Sequence, residues 1–239
     1  MTDTTETSKK LSIVLVLFNK WNFTRACLKD LSQLPSDHEI IVVDNASSDE
    51  THKEMVELER SLQMKDTLVY IRNEENVFHS KACNQGFRAS TADRVLFLNN
   101  DIRIKGNHVS WTKAIIDSCD STNGLVGPTM GQLDNNLNFV REANQQLTGN
   151  SYMGGWCVAA KKSVWKQLDV DGTGQIWNEA FPMYFNDTDL SFRARKKKIP
   201  LTVVPLPDAF HFGKVSAAQI NIHKLYTEGR AVFLKHWSK

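Results

Sequence analysis

No stretch of this 239-residue chain approaches the roughly 20 apolar residues needed to cross a bilayer. Its first ten residues also lack the apolar centre of a secretory leader. Neither sign of charge dominates: 29 Lys and Arg against 27 Asp and Glu leave a net +2, so the balance demands no polyanion and gives no reason to invoke nucleic acid. The four cysteines, Cys27, Cys83, Cys119 and Cys157, form no C-x-x-C pair. That excludes a zinc ribbon and a small disulfide scaffold, and it suits a reduced, cytoplasmic setting. Glycine is missing where a phosphate-cradling loop would want it. The turn after the first apolar run reads Phe18-Asn19-Lys20-Trp21, and no G-x-G-x-x-G follows any predicted strand, which argues against a dinucleotide-dependent oxidoreductase.

What the chain does have is 41% hydrophobic and 23% charged residues, the composition of a globular protein long enough for one α/β domain. Residues 1–10, rich in Thr, Ser and charge, read as a disordered tail. From Leu11 short apolar runs alternate with amphipathic segments. Strands are expected at 11–18, 38–44, 68–71 and 94–98, with helices at 21–34 and 80–89 and another announced by a capping box of Ser47 and Glu50. Such alternation implies a parallel sheet with helices on its faces. The second half is less regular. It suggests a helix at 109–119, a strand at 124–130 facing another at 137–143 across the Asp134-Asn135-Asn136 turn, a strand after Gly154-Gly155, a helix at 186–197 and a strand at 201–204. The main domain is expected to span 11–218, with a terminal amphipathic helix, 219–239, packing its apolar face on the sheet and leaving peripheral membrane contact open. Lys196-Lys197-Lys198, after Arg193 and Arg195, reads as a solvated basic helix end.

In open sheets of this type ligands sit outside the carboxyl ends of the strands, and the polar clusters fall there. Asp44-Asn45 follows the second strand, Arg72-Asn73 the third and Asn99-Asn100-Asp101 the fourth. A carboxylate and two amides at the end of a buried strand suit a hard divalent cation carrying a diphosphate, because such cations take one or two protein carboxylates and fill the rest with water and phosphate. Asn and Asp also close strands as ordinary turn residues, so the cluster alone leaves both readings open. Gly154-Gly155-Trp156 would expose backbone beside an indole, a platform for the apolar face of a sugar, though Trp156 could equally belong to the core.

Four motifs in order resemble the family 2 glycosyltransferases, with the rhamnosyltransferase-like branch nearest. They are Val42-Val43-Asp44-Asn45-Ala46-Ser47-Ser48-Asp49; the run from Asn76 to Gly86; Leu98-Asn99-Asn100-Asp101; and Asn186-Asp187-x-Asp189-Leu190-x-x-Arg193. The resemblance runs from Leu11 to about Ser216. Two positions depart from it: Phe78 stands where the family often has Gly, and Asn186 where Glu is usual.

The resemblance implies the GT-A fold, a three-layer α/β/α domain with a mostly parallel sheet and a small antiparallel element. It implies an inverting, metal-dependent hexosyltransferase moving a sugar from a UDP- or dTDP-sugar to a glycan or lipid-linked acceptor. Asp187 would be the catalytic base. Asp101, completed by His211, would hold Mn²⁺ in preference to Mg²⁺, since imidazole is a borderline ligand. Asp44, Arg72 and Asn73 would face the nucleoside, with backbone at Leu17 and Phe18 edging the base. Asn76, Lys81, Asn84, Asn99 and Asn100 would line the donor side, and Gly155 and Trp156 the transferred sugar or acceptor. Asp189 is expected to brace a loop or pair with Arg193. A sugar nucleotidyltransferase would want the missing glycine-rich loop, whereas a catalytically silent sugar-nucleotide-binding domain remains a rival. Oligomeric state is not written in these motifs.

Overall fold

The computed structural model describes residues 9–60, 67–213 and 221–238. The expected tail falls largely on residues 1–8, outside the described residues, and Lys10 is tied by an ion pair to Asp37 at 2.6 Å. The first half follows the sequence pattern: β1 (Leu11–Leu17), α1 (Trp21–Leu31), β2 (His38–Asp44), α2 (Thr51–Arg60), β3 (Leu68–Arg72), α3 (Phe78–Ala89) and β4 (Arg94–Asn99). Then come β5 (Ile102–Ile104), α4 (His108–Thr122), β6 (Leu125–Gly127), β7 (Met130–Leu133), β8 (Phe139–Ala143), β9 (Ser151–Met153), β10 (Cys157–Lys161), α5 (Lys162–Gln167), α6 (Asn186–Lys196), β11 (Leu201–Val203), β12 (Ala209–His211) and α7 (Ile222–Trp237).

A seven-stranded sheet runs in the order β11-β6-β10-β4-β1-β2-β3. Its pairings are parallel except those of β10, which lies antiparallel between β4 and β6. Both faces of β1 are covered. Leu11, Ile13, Leu15 and Leu17 join one apolar cluster with α1 and α4, while Val14 joins the other with α3, Trp165 and Trp177. The period-two alternation of a strand buried on both sides produces this split. At Gly86 a Cβ would fall 2.3 Å from Val14 Cγ1, so α3 seats on β1 only through a missing side chain.

Four expectations are corrected. The run 124–130 is two strands in different sheets, β6 and β7, separated at Pro128; β7 pairs with β8 and β9 in a three-stranded sheet. The capping box does not form: Ser47 N–H donates to Asp44 Oδ1 and its hydroxyl accepts from Asn19 N, so Asp49 caps instead, taking Thr51 N at 3.0 Å and Trp21 N at 3.3 Å. The terminal helix packs away from the main sheet. Phe233 and Trp237 meet Leu133, Leu137, Phe181, Phe185 and Phe192 in a separate cluster. Finally, Arg193 and Arg195 do not belong to the basic surface run; only Lys196, Lys197 and Lys198 are exposed. No helix among the described residues is long and apolar enough to cross a membrane.

Glu39, buried at 5% exposure, clasps β1, β2 and the turn before β4: it accepts from Ser12 Oγ, from Thr91 N at 2.6 Å, from Thr91 Oγ1 at 2.9 Å and from Ala92 N at 3.2 Å. Burial pushes its carboxyl up, but these donors outweigh burial and hold it below the usual 4.5. A depressed folded value means stability that is present above 4.5 and lost as pH falls through the folded pKa. In urea unfolding at pH 7, Glu39→Gln is therefore expected to cost about 1–3 kcal/mol, with the gap to wild type closing as pH drops below 4.5. A gap that is constant with pH would contradict the assignment.

Candidate active site

Left-handed backbone at non-glycine residues gathers around the carboxyl ends of the parallel strands: Asn19 and Lys20 after β1, Ala46 after β2, Phe78 opening α3 and Phe185 before α6, with φ from 56° to 65°. Each such residue costs about 1–2 kcal/mol, and strain of this kind concentrates at ligand-binding edges. Phe78 at φ 62° adopts the conformation a glycine would take there, so the chain path survives the substitution.

At the β2 and β3 ends the polar residues hold one another. Asp44 is fully buried; Oδ2 accepts from Arg72 Nη1 at 2.6 Å and Tyr70 OH at 2.8 Å. Asn73 bridges Asn45 and Gln85, and Asn76 accepts from Phe78 N at 2.9 Å. Leu17 is buried with its carbonyl taken by Asn45 N, while Phe18 is half-buried and Lys81 exposed.

Two residues expected on the donor side are not brought there. Asn84 donates to Trp177 O at 2.8 Å and accepts from Trp177 N at 2.9 Å, and with Ser80, bonded to Phe181 O, it carries the loop that leads into α6. Asn100 donates to Thr24 Oγ1 of α1 at 2.8 Å. In both cases a buried amide satisfies backbone or hydroxyl groups that would otherwise lack partners.

The β4 end differs. A two-stranded ribbon, β5 with β12, sets His211 opposite Ile102, and Phe212 N donates to Asp101 O at 3.0 Å. His211 Nε2 then stands 3.2 Å from Asp101 Oδ1, yet that buried oxygen receives no hydrogen bond. Asn99 Nδ2 lies 3.3 Å from the same nitrogen, and the Trp156 indole stacks on the imidazole at 4.8 Å and 16°. A buried orphan oxygen beside an imidazole nitrogen fits the donor set of a divalent cation that takes its other ligands from phosphate and water. Among the described residues no three His, Cys, Asp or Glu side chains converge there.

Asp187 sits in the first turn of α6. Thr188 N donates to Oδ1 at 2.7 Å and Gly155 N to Oδ2 at 3.2 Å. Gly155 is required, since a Cβ there would lie 2.9 Å from Asp187 Cβ. The helix is pinned behind it: Arg193 pairs with Asp189 at 2.7 Å and donates to Ile176 O, Arg195 bonds Ser151, and Trp237 Nε1 donates to Asp189 Oδ1. Asp189 thus braces, as expected. Burial pushes the Asp187 carboxyl above its usual 3.8, Gly155 and Thr188 oppose that, and the charge of Glu142 adds to it. Asn186 donates to Ser80 Oγ at 3.1 Å and stands 3.0 Å from His79 Nδ1, an imidazole that burial holds neutral with a pKa of about 4.

Asn99, Gly155, Trp156, Asp187 and His211 line one cavity of about 520 Å³, with Asp101 behind His211. Sequence reasoning missed Glu142 of β8, Tyr152 of β9, Tyr184 and Tyr226 of α7, all of which line it too. Glu142 Oε1 accepts from Thr129 Oγ1 at 2.6 Å and Trp156 Nε1 at 3.1 Å. No motif marks these residues; the pairing of β8 and β9 with β7 delivers Glu142 and Tyr152, and α7 delivers Tyr226.

The profile of glycosyl transferase family 2 matches residues 12–164, more than half the chain; Asp187 and His211 lie beyond the match. The low-salt glycan biosynthesis hexosyltransferase Agl10 of Haloferax volcanii is 25% identical over 250 residues, covering 94% of this chain and 74% of that protein. Among solved structures, GalNAc-T7 with UDP, GalNAc and Mn²⁺ is similar with a TM-score of 0.68 at 15% identity, over 84% of this chain and 43% of that one. The mannosyltransferase PcManGT of Pyrobaculum calidifontis, in complex with GDP-Man and Mn²⁺, gives 0.59 at 15% identity over 83% and 55%. TarS of S. aureus in complex with UDP gives 0.54 at 16% identity over 81% and 58%. The chain spans about half the length of these solved chains, and the fold it shares with them is the GT-A fold.

If Glu142 and Asp187 face each other electrostatically, ¹³C-detected titration of the Asp187 carboxyl should give a midpoint above 3.8, and Glu142→Gln should lower it. A midpoint at or below 3.8, or one indifferent to Glu142, would contradict the site's electrostatics.

Proposed function

Since the chain belongs to glycosyl transferase family 2, we propose that it moves a hexose from a nucleoside-diphosphate sugar, UDP- or dTDP-linked, to a hydroxyl of a glycan or lipid-linked acceptor, inverting the anomeric centre. The observation that carries this reading is the orphaned Asp101 Oδ1 at 3.2 Å from His211 Nε2, beside a cavity that also receives the Asp187 carboxylate. It is supported by the hexosyltransferase relative and by neighbours solved with UDP or GDP-Man.

Asp101 and His211 would hold a divalent cation, Mn²⁺ in preference to Mg²⁺, which supplies Lewis-acid stabilisation of the charge developing on the diphosphate leaving group. Asn99 and Trp156 keep the His211 ring in place. Asp187, its direction fixed by Gly155 N and Thr188 N, takes the proton from the acceptor hydroxyl as that oxygen attacks the sugar from the face opposite the diphosphate. Its raised pKa makes it a stronger base than a free aspartate. Gly155 and Trp156 border the sugar. Arg72 and Asn73 offer the polar edge for the nucleoside, with Asp44 orienting Arg72, while Asn76 would line the donor side, where exposed Lys81 could meet phosphate. Residues 11–218 would form the catalytic unit, and α7 completes it, because Tyr226 lines the cavity. Four free, buried cysteines support a cytoplasmic enzyme.

Asp187→Asn should lower transfer by about 10²-fold or more while nucleotide affinity stays within a few-fold, measured by released nucleoside diphosphate and by calorimetry. Asp101→Ala should instead uncouple Mn²⁺ from nucleoside-diphosphate binding. Full activity of the first variant rejects the base, and metal-independent, unchanged binding in the second rejects the cation site.

A further inference from the structure

The fixed charge around the cavity is of one sign. Among its described lining residues there is no lysine or arginine, whereas Asp187 and Glu142 bring carboxylates from α6 and β8. Arg141 and Arg230 lie outside that lining; they keep their charge and donate to neutral amide oxygens, Gln132 Oε1 and Asn138 Oδ1. The half-buried His79 imidazole is held neutral by desolvation. A cation at Asp101 and His211 is answered by the diphosphate it would carry, which leaves nothing for a second anion.

Glu142 is placed to act on whatever enters. Oε1 accepts from Thr129 and Trp156, and Oε2 has no protein partner among the described residues. Nearby, the Tyr152 hydroxyl also makes no protein hydrogen bond among them, and its pKa is raised by burial and then by the charges of Asp187 and Glu142, so it remains a donor. Trp156, Tyr152, Tyr184 and Tyr226 add aromatic surface. Apolar ring faces combined with free hydroxyl and carboxylate groups match a sugar, whose C–H face packs on aromatics and whose hydroxyls need acceptors. A carboxylate on that sugar would meet two like charges, that of half-buried Asp187 and that of exposed Glu142, and would be repelled by both.

Resting on the glycosyltransferase reading above, we infer that this cavity admits an uncharged sugar ring and rejects an acidic one, with Glu142 enforcing the choice. Holding the Trp156 indole needs only a neutral acceptor, which a glutamine carbonyl would provide. The charge of Glu142 therefore serves selection, and its unpartnered oxygen takes a sugar hydroxyl.

The test uses the full chain with Mn²⁺ and matched nucleotide sugars that differ only by a carboxylate: UDP-glucose with UDP-glucuronic acid, UDP-galactose with UDP-galacturonic acid, and dTDP-glucose with dTDP-glucuronic acid. Dissociation constants come from tryptophan fluorescence and hydrolysis from released nucleoside diphosphate. Wild type should favour the neutral member at least tenfold in each pair it binds. Glu142→Gln should narrow that ratio threefold or more, chiefly by gaining on the acidic member, and Glu142→Asp should preserve it. An acidic member handled as well as its neutral counterpart, or a ratio unmoved in Glu142→Gln, overturns the inference while leaving glycosyl transfer standing. Failure to bind any of the six overturns the functional reading and the inference with it.

Discussion

Asp101 and His211 lie 110 positions apart, and what joins them is a ribbon of three residues from each side, Ile102–Ile104 against Ala209–His211. The backbone bond from Phe212 N to Asp101 O extends it by one rung. Strand pairing thereby fixes two electron-pair donors 3.2 Å apart with no hydrogen bond between them. On the proposed reading a shared cation would give that buried oxygen the partner it otherwise lacks. The Trp156 stack, the Asn99 amide and the cavity beyond are all arranged around this pair.

The second anchor is α6. Its amino end presents Asp187, and its body is locked by Arg193 and Arg195, which reach Ile176 O and Ser151 Oγ, and by Ser191 Oγ accepting from Met153 N. These arginines resemble a surface run in the sequence but work as interior clasps, where a planar guanidinium can satisfy several carbonyls at once. Packed against Phe192 of α6, α7 buries Phe233 and lends Tyr226 to the cavity, so the terminal helix belongs to the site's architecture.

Much of this was legible in the sequence. β1 to β4 declare themselves by apolar runs that stop at polar clusters, and the crevice at their carboxyl ends follows from parallel topology. The direction of β10 was not legible, because a short buried run such as Cys157–Lys161 reads the same either way. β5, β9 and β12, at three residues each, are too short for periodicity to mark. Asn84 and Asn100 stand where ligand-binding amides were expected, but tertiary neighbours claim them. Glu142 and Tyr152 carry no local signal, and only the hairpin brings them to Asp187.

Anomalous diffraction from crystals of this protein grown with Mn²⁺ and UDP would be the most direct test. The expected result is a manganese peak in contact with both the Asp101 carboxylate and the His211 imidazole, with the UDP diphosphate on it and the Asp187 carboxylate facing the same cavity. Bound UDP with manganese elsewhere, or with no manganese at that pair, would contradict the account.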